Sequence, residues 1–187
     1  MLFEYLLYLY FRWFKTNNPE SINRELHFFN YSWLSKSKRL RILKIACPNI
    51  HDSADIAAPL HIERGTHIEI GRNSFINYGC NILNGAQITI GEGTQIGPGV
   101  SICTTYHHSN PLLRSKDKQA FSKPIVIGNH VWIGAGAIIL PGVTIGSNTT
   151  IAAGSVVTRN IAANVTAAGN PCLVKKDWAA DAAENES

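Results

Sequence analysis

The chain lacks the features that mark membrane-spanning and secreted proteins. Its aromatic N-terminus carries a longest charge-free run of only residues 5–11, far short of the roughly 20 apolar residues that cross a bilayer. It also lacks the basic start and small-residue cleavage site of a signal peptide. The net charge is only +4, and so slight an excess does not favour a nucleic-acid partner. With 187 residues, of which 45% are hydrophobic, the chain suits one soluble domain with a core.

Cysteine is sparse, and its spacing disfavours two further classes of site. The four residues are Cys47, Cys80, Cys103 and Cys172, and no two of them form a CxxC pair. We therefore expect reduced, mostly buried thiols in a cytoplasmic protein, rather than disulfides or a metal site. Cys103 is expected to close a turn of the fold rather than to carry an acyl group.

The sequence leaves open the role of two N-terminal stretches. Residues 1–16 are dense in Leu, Tyr, Phe and Trp and include Arg12 and Lys15. They could lie peripherally in a membrane interface at its cytoplasmic side, or pack on the protein body or a neighbouring subunit. The basic stretch 35–44 could face an anionic sugar, a lipid-linked glycan or solvent.

What the sequence does contain is an aliphatic residue at every sixth position. The positions fall into three runs separated by a two-residue slip and by residues 103–124: Ile70, Ile76, Ile82; Ile90, Ile96, Ile102; Ile127, Ile133, Ile139, Ile145, Ile151, Val157. This period fits neither a helix nor an alternating strand. Three residues after the ten positions from Ile70 to Ile151 other than Ile102 comes Gly, Asn or, once, His130, residue types that enter the left-handed backbone region easily. A tight corner every six residues predicts stacked coils with aliphatic ladders inside.

This pattern resembles the hexapeptide-repeat acyltransferases. The segments IGRNSFINYGCNI (70–82), PIVIGNHVWIGAGAIILPGVTIG (124–146) and IAAGSVVTRNIAANVTAAGNPCLVKK (151–176) are similar to those of galactoside and maltose O-acetyltransferases. The resemblance implies an all-β, left-handed parallel β-helix, here of roughly four to five coils. We expect a partly helical N-terminal segment over 1–60, a catalytic β-helix over 61–165 and a C-terminal segment over 166–187. The first segment looks more like the variable leaders of polysaccharide-modifying acetyltransferases.

The interruption at residues 103–124 is the expected active-site loop. A column packed with aliphatics has no pocket of its own, and long loops in compact domains are usually functional or disordered. Acyl transfer to a hydroxyl needs a base that titrates near neutral pH, which makes His107 and His108 equal candidates from the residues alone. The spacing from Val100 in the related enzymes matches His107, so the resemblance assigns the base to His107 and an acceptor-side role to His108.

The resemblance also implies the other parts of the reaction. The acyl donor would be acetyl-CoA, the acceptor a carbohydrate hydroxyl, and Asn77 the residue that holds that hydroxyl. The backbone N–H of Ala135 would stabilise the oxyanion. The implied acetyl-CoA contacts are Trp132, Ala135, Ala153, Thr158, Arg159, Lys175 and Lys176. Leu173 departs from the pattern because relatives carry a basic residue there, and Lys175 could compensate. The family works as homotrimers with interfacial sites and requires no metal.

Three other functions compete with this interpretation. A zinc hydratase with the same coil needs three converging histidines, which the adjacent His107 and His108 with a distant His130 do not supply. A non-catalytic β-helix scaffold would have no reason to keep the histidine loop, Asn77 and the VWIG stretch together. Transfer to an amine, as in an N-acetyltransferase acting on an amino sugar or an amino acid, would depend less on the histidine base.

Overall fold

The structure, a computed structural model, describes residues 22–30 and 34–178. The expected interfacial segment at 1–16 lies outside these residues. In the part of the chain that is described, no helix is long and apolar enough to cross a membrane.

Two helices, α1 (Ile22–Phe29) and α2 (Lys36–Ala46), pack together next to the first strands. Phe29 of α1 and Leu43 of α2 are buried in the same core as the β-helix. The basic stretch 35–44 forms most of α2. Two of its lysines form ion pairs with the first coil, Lys36 with Asp55 and Lys44 with Asp52.

Eighteen short strands follow in the residues that the structure describes. They are β1 (Asp55–Ile56), β2 (Leu60–Ile62), β3 (Ile68–Ile70), β4 (Phe75–Ile76), β5 (Cys80–Leu83), β6 (Ile88–Ile90), β7 (Gln95–Ile96), β8 (Ser101–Cys103), β9 (Thr105–Tyr106), β10 (Phe121–Ser122), β11 (Ile125–Ile127), β12 (Trp132–Ile133), β13 (Ile138–Ile139), β14 (Thr144–Ile145), β15 (Thr150–Ile151), β16 (Val156–Val157), β17 (Val165–Ala168) and β18 (Leu173–Asp177). A third helix, α3 (Pro111–Lys116), lies between β9 and β10.

The strands form three faces of a parallel β-helix, which confirms the predicted fold. The four-strand face has the order β14-β11-β6-β3, the five-strand face β16-β13-β8-β5-β2, and the seven-strand face β1-β4-β7-β12-β15-β17-β18. Within each face the repeating aliphatics pair in register, for example Ile62 with Ile82 and Ile82 with Ile102. These side chains are at most 4% exposed, so the six-residue period is the core itself.

The β-helix has about six coils, more than the four to five expected. The first coil begins at Ile50, which bridges to Ile70, and it continues through β1, which pairs with β4. Ile50, Ile56 and Ile62 already keep the six-residue spacing and are buried. This coil therefore lies largely within residues that the sequence assigned to the N-terminal segment.

The corners follow the predicted backbone rule with one exception. Nine of the ten Gly, Asn and His positions have positive φ, including Asn73 at 55° and His130 at 53°. Gly85 does not have a positive φ, and the reason for a glycine there is steric. A Cβ there would lie 2.5 Å from Ser122 Oγ and 2.8 Å from Thr105 Oγ1, so Gly85 allows the base of the loop to pack against the coil.

The C-terminal strand β18 closes one end of the seven-strand face. It runs antiparallel to β17, with Thr166 opposite Lys176 and Ala168 opposite Leu173. Trp178 follows it, and the Trp178 indole Nε1 donates to Thr166 Oγ1 at 3.0 Å. All four cysteines are free thiols; Cys103 is the one that is not buried.

Candidate active site

The loop at 103–124 has its own secondary structure. Strands β9 and β10 pair antiparallel, with Tyr106 opposite Phe121, and their rings lie 5.7 Å apart. Asn110 caps α3 by accepting the Leu112 N–H. The hairpin thus fixes the base of the loop, while every residue from 109 to 120 is exposed.

The two histidines of this loop have different surroundings. His108 packs edge-on against Phe121, with 4.9 Å between ring centroids, and its Nε2 lies 3.7 Å from Asp117 Oδ2. The His108 carbonyl also accepts a hydrogen bond from Arg114. His107 is exposed and makes no hydrogen bond, ion pair or ring contact with any residue that the structure describes. His108 therefore helps to hold the loop together, and His107 remains available to a ligand.

A second group of candidate residues lies at the corner between the seven-strand and five-strand faces, here called the Asn77 corner (residues 77–79, 97–99, 134–136 and 152–154). Ala135 and Ala153 occupy equivalent places in neighbouring coils. Neither N–H donates to any described residue, and both residues are exposed. Their spacing is that of adjacent strands, about 4.8 Å. Two amide donors without a partner among the described residues therefore lie in line along this corner.

Glycine at two positions brings the coils close at these amides. A Cβ on Gly97 would lie 2.8 Å from the Ala135 nitrogen, and one on Gly134 would lie 2.4 Å from the Ala153 nitrogen. A side chain at either position would collide with the backbone and obstruct approach to the N–H groups. In the sequence, both glycines follow a repeating aliphatic, and nothing there distinguishes their role at the amides from that of the other repeat glycines.

Asn77 lies at the same corner, two coils before Ala135. Its Oδ1 accepts the N–H of Tyr78 at 2.9 Å. The Nδ2 group has no partner among the described residues, so a donor is available there. Tyr78 is 57% exposed beside it.

The remaining candidate residues fall in two other places. Trp132 points outward from the middle of the seven-strand face and is 57% exposed; Lys176, at the end of that face, stacks on Trp178 with 4.1 Å from Nζ to the ring centroid. Thr158 and Arg159 are exposed at the corner between the five-strand and four-strand faces, where the loop also emerges. Lys175 and Leu173 are exposed on β18.

Within one chain, these positions do not form a single site. His107 follows β9 in the loop that leaves the far end of β8, whereas Asn77 precedes β5, so the width of the five-strand face separates the corner of Asn77 from the corner where the loop emerges. Asn77 and Leu83 mark the ends of that width, and six extended residues span about 20 Å. Among residues 22–30 and 34–178, no hydrogen bond, ion pair or ring contact joins the loop to Asn77, Ala135 or Ala153.

The histidines do not gather around a metal position in the described part of the chain. No group of three or more His, Cys, Asp or Glu side chains there has the arrangement of metal ligands. His130 lies at a corner of the coil, where its ring covers Gly93 of the preceding coil.

Comparison with known proteins gives consistent similarities. The family model described as bacterial transferase hexapeptide (six repeats) matches residues 124–159. The galactoside O-acetyltransferase of Escherichia coli K12 is 40% identical over 153 residues, covering 81% of this chain and 75% of that protein. A maltose O-acetyltransferase structure from Clostridium difficile 630 has 37% identity and a TM-score of 0.81, covering 85% of each chain. A hexapeptide-repeat acetyltransferase from Vibrio cholerae O1 biovar eltor, complexed with acetyl coenzyme A, has 32% identity and a TM-score of 0.81, covering 86% of each chain.

Proposed function

We propose, since the chain belongs to the hexapeptide-repeat acetyltransferase family, that it transfers the acetyl group of acetyl-CoA to a hydroxyl of a carbohydrate, with His107 as general base. The observation that carries this proposal is the contrast between the two loop histidines. His108 is held by Phe121 and Asp117, whereas the imidazole of His107 has no partner among the described residues and is open to a ligand.

In the proposed reaction, His107 removes the proton from the acceptor hydroxyl as that oxygen attacks the thioester carbonyl carbon. A C–O bond forms, the C–S bond breaks, and His107 returns the proton to the departing thiolate. The Ala135 N–H donates to the carbonyl oxygen as negative charge develops there. A backbone donor suits this role because it is already in place before the reaction. Asn77 would orient the acceptor hydroxyl through its Nδ2, and His108 would contribute on the acceptor side while holding the loop.

Acetyl-CoA would lie along the Asn77 corner and the outer surface beside it. The successive N–H groups of Ala135 and Ala153 supply donors for an extended amide-containing chain, and Trp132 offers an exposed aromatic surface near the reacting end. Thr158, Arg159, Lys175 and Lys176 would bind the adenosine and phosphate end. Leu173 is apolar at a position where the family resemblance implies a basic residue, so Lys175 and Lys176 would supply the cations for the phosphates.

The separation of the two corners supports a homotrimer with sites between subunits. About 20 Å of the five-strand face lies between Asn77 and the base of the loop in one chain. A second copy that brings its Asn77 corner to this loop would complete a site, and cyclic symmetry would repeat that contact three times. Thr158 and Arg159 share the corner of the loop, so one acetyl-CoA would then be bound by residues of two subunits.

The reaction is proposed to take place in the cytoplasm, where thiols such as the four free cysteines stay reduced. Contact of residues 1–16 with the inner face of the membrane would bring the enzyme to a glycolipid or a nascent surface polysaccharide. Deletion of residues 1–16 tests this contact, because it should release the protein from the membrane fraction. A native protein that is entirely soluble would contradict it.

Release of CoA from acetyl-CoA, measured with a panel of acceptors, tests the proposed function. The panel contains neutral mono- and oligosaccharides, amino sugars and amino acids. Turnover with sugars that lack an amine, giving ester products, is the expected result. Transfer only to amines would establish an N-acetyltransferase, and failure of the wild type to bind acetyl-CoA would leave a β-helix scaffold.

A further inference from the structure

A cavity of about 400 Å³ lies between α1 and the outer side of the five-strand face. Helix α1 forms one wall through Leu26 and His27, and strands β2 and β5 form the other through His61, Asn81 and Leu83. This volume is in the range of small-molecule sites. None of the roles assigned above uses this cavity.

The wall formed by α1 is fixed to the β-helix at its end. The Asn30 side chain accepts the N–H of Leu60 and donates to the carbonyl of Leu60, both at 2.9 Å. Leu26 and Phe29 anchor the same helix in the core. The packing of α1 in the core and the two hydrogen bonds of the Asn30 amide therefore keep the cavity open.

The lining has the chemistry of a site for a neutral sugar. His27, His61, Glu63 and Asn81 supply hydrogen-bonding groups that match hydroxyls. Leu83 is 51% exposed beside them and offers an apolar surface to the C–H face of a sugar ring. The lining residues that the structure describes include the Glu63 carboxylate and no lysine or arginine, so a phosphate or a sulfate would be disfavoured beside them.

The cavity lies directly beside the base of the loop that carries His107. Leu83 at its edge pairs in register with Cys103, and Thr104 donates its N–H to the Leu83 carbonyl at 2.9 Å. His107 follows Thr104 by three residues. One strand spacing and three extended residues amount to no more than about 15 Å, a span that a short oligosaccharide can cover.

We propose that this cavity binds a neighbouring sugar unit of the acceptor, so that the enzyme prefers an oligosaccharide or glycan chain over a single sugar. The inference rests on the proposed function, because it takes the reacting hydroxyl to be at His107. The cavity would bind the non-reacting unit through His61, Asn81 and Glu63. Binding energy from that remote unit would then raise kcat/KM for the longer acceptor.

The test compares acceptor lengths in matched variants. The most active neutral sugar of the panel is offered as its methyl glycoside and as its linear trisaccharide. We expect wild type to favour the trisaccharide in kcat/KM by roughly tenfold or more, the discrimination that a small apolar or polar contact provides. His61→Ala, Asn81→Ala and the cavity-filling Leu83→Trp should each remove that preference while leaving kcat/KM for the methyl glycoside within about twofold.

The matched control is His51→Ala, which alters a histidine that is exposed outside the cavity and bonded to Ser53; it should keep the preference. Saturation-transfer NMR with the trisaccharide alone should show binding to wild type and its loss in Leu83→Trp, with unchanged melting temperature. Equal kcat/KM for both acceptors in wild type, or equal losses for both acceptors in the variants, would overturn the inference while leaving the proposed function intact. Absence of transfer to any sugar would instead contradict the proposed function.

Discussion

The Gly154 N–H donates to the carbonyl oxygen of Ala135 at 2.8 Å. This hydrogen bond fixes the Ala135 carbonyl against the next coil, while the Ala135 N–H has no partner in the described part of the chain. One coil further, the Ala153 N–H likewise donates to no described residue. The regular hydrogen bonding of the β-helix thus leaves the N–H groups of Ala135 and Ala153 without partners among the described residues. Such donors can bind an acyl donor that contains amides, and they can stabilise the oxyanion that develops during transfer.

Substitution of Gly134 by alanine should displace the N–H groups of Ala135 and Ala153. The new Cβ would lie 2.4 Å from the Ala153 nitrogen, so two coils must move apart. We expect a lower melting temperature and weaker acetyl-CoA binding, measured by differential scanning fluorimetry and calorimetry. Gly136→Ala is the control: its Cβ would meet nothing within 4 Å, and it should cost only about 1–2 kcal/mol for its positive φ. Equal effects of the two substitutions would argue against steric control at this corner.

The proposed homotrimer with sites shared between subunits predicts complementation. His107→Ala and Asn77→Ala homotrimers should both be nearly inactive. Mixed trimers purified after coexpression should recover about a third of wild-type activity, because each of them would have one site of three whose loop and Asn77 corner, drawn from different chains, are both intact. The readout is CoA release from purified mixed trimers carrying two different tags. No recovery above the separate variants would mean that one chain supplies both residues.

The aliphatic ladder predicts that alanine substitutions at two adjacent isoleucines differ greatly in their cost in stability. Ile139 is completely buried, whereas Ile138 is 39% exposed on the outer side of the same strand. Ile139→Ala should lower the free energy of unfolding by roughly 2–5 kcal/mol through lost burial and the remaining cavity. Ile138→Ala should cost clearly less. Chemical denaturation of both variants checks this expectation, and similar losses would contradict the assigned inward and outward positions.

Thiol labelling should separate Cys103 from the other cysteines. Burial, reinforced by the negative charge of Glu25, raises the pKa of the Cys47 thiol to about 12, so this thiol stays protonated at pH 8. Burial also raises the pKa values of Cys80 and Cys172. A disulfide reagent at pH 8 should therefore label one thiol rapidly in the native protein, and Cys103→Ser should abolish that phase. Rapid reaction of two or more thiols would contradict the described burial.

The same pKa shift has a consequence for stability. The folded protein keeps the Cys47 proton that the unfolded chain loses near pH 9. The stability that the buried, protonated thiol contributes is therefore fully present below pH 9. It is lost as pH rises from 9 towards 12.

The sequence predicted the β-helix because its period is tied directly to the core. Each repeating aliphatic is an inward side chain, and the Gly, Asn and His positions follow from the backbone at the corners. The start at Ile50 could have been recognised as well, since Ile50, Ile56 and Ile62 keep the same spacing. The two-residue slip between Ile62 and Ile70 hides the continuity of this spacing with the later repeats.

The site was less accessible to sequence reasoning. The residues alone could not choose between His107 and His108, because the difference lies in contacts with Asp117 and Phe121 made after the chain folds back. The free N–H of Ala135 depends on backbone geometry, and no side chain records it. The cavity beside α1 combines residues that are 34 positions apart, such as His27 and His61, without a shared motif.

The most direct test of the account is acetyl transfer by His107→Ala beside His108→Ala, with acetyl-CoA binding measured for each. A general base contributes typically about 10²–10⁴-fold. We therefore expect kcat of His107→Ala to fall by about that factor with an unchanged dissociation constant for acetyl-CoA, and that of His108→Ala to fall much less. Wild-type kcat in His107→Ala, or a larger loss in His108→Ala, would contradict the assignment of His107 as the base.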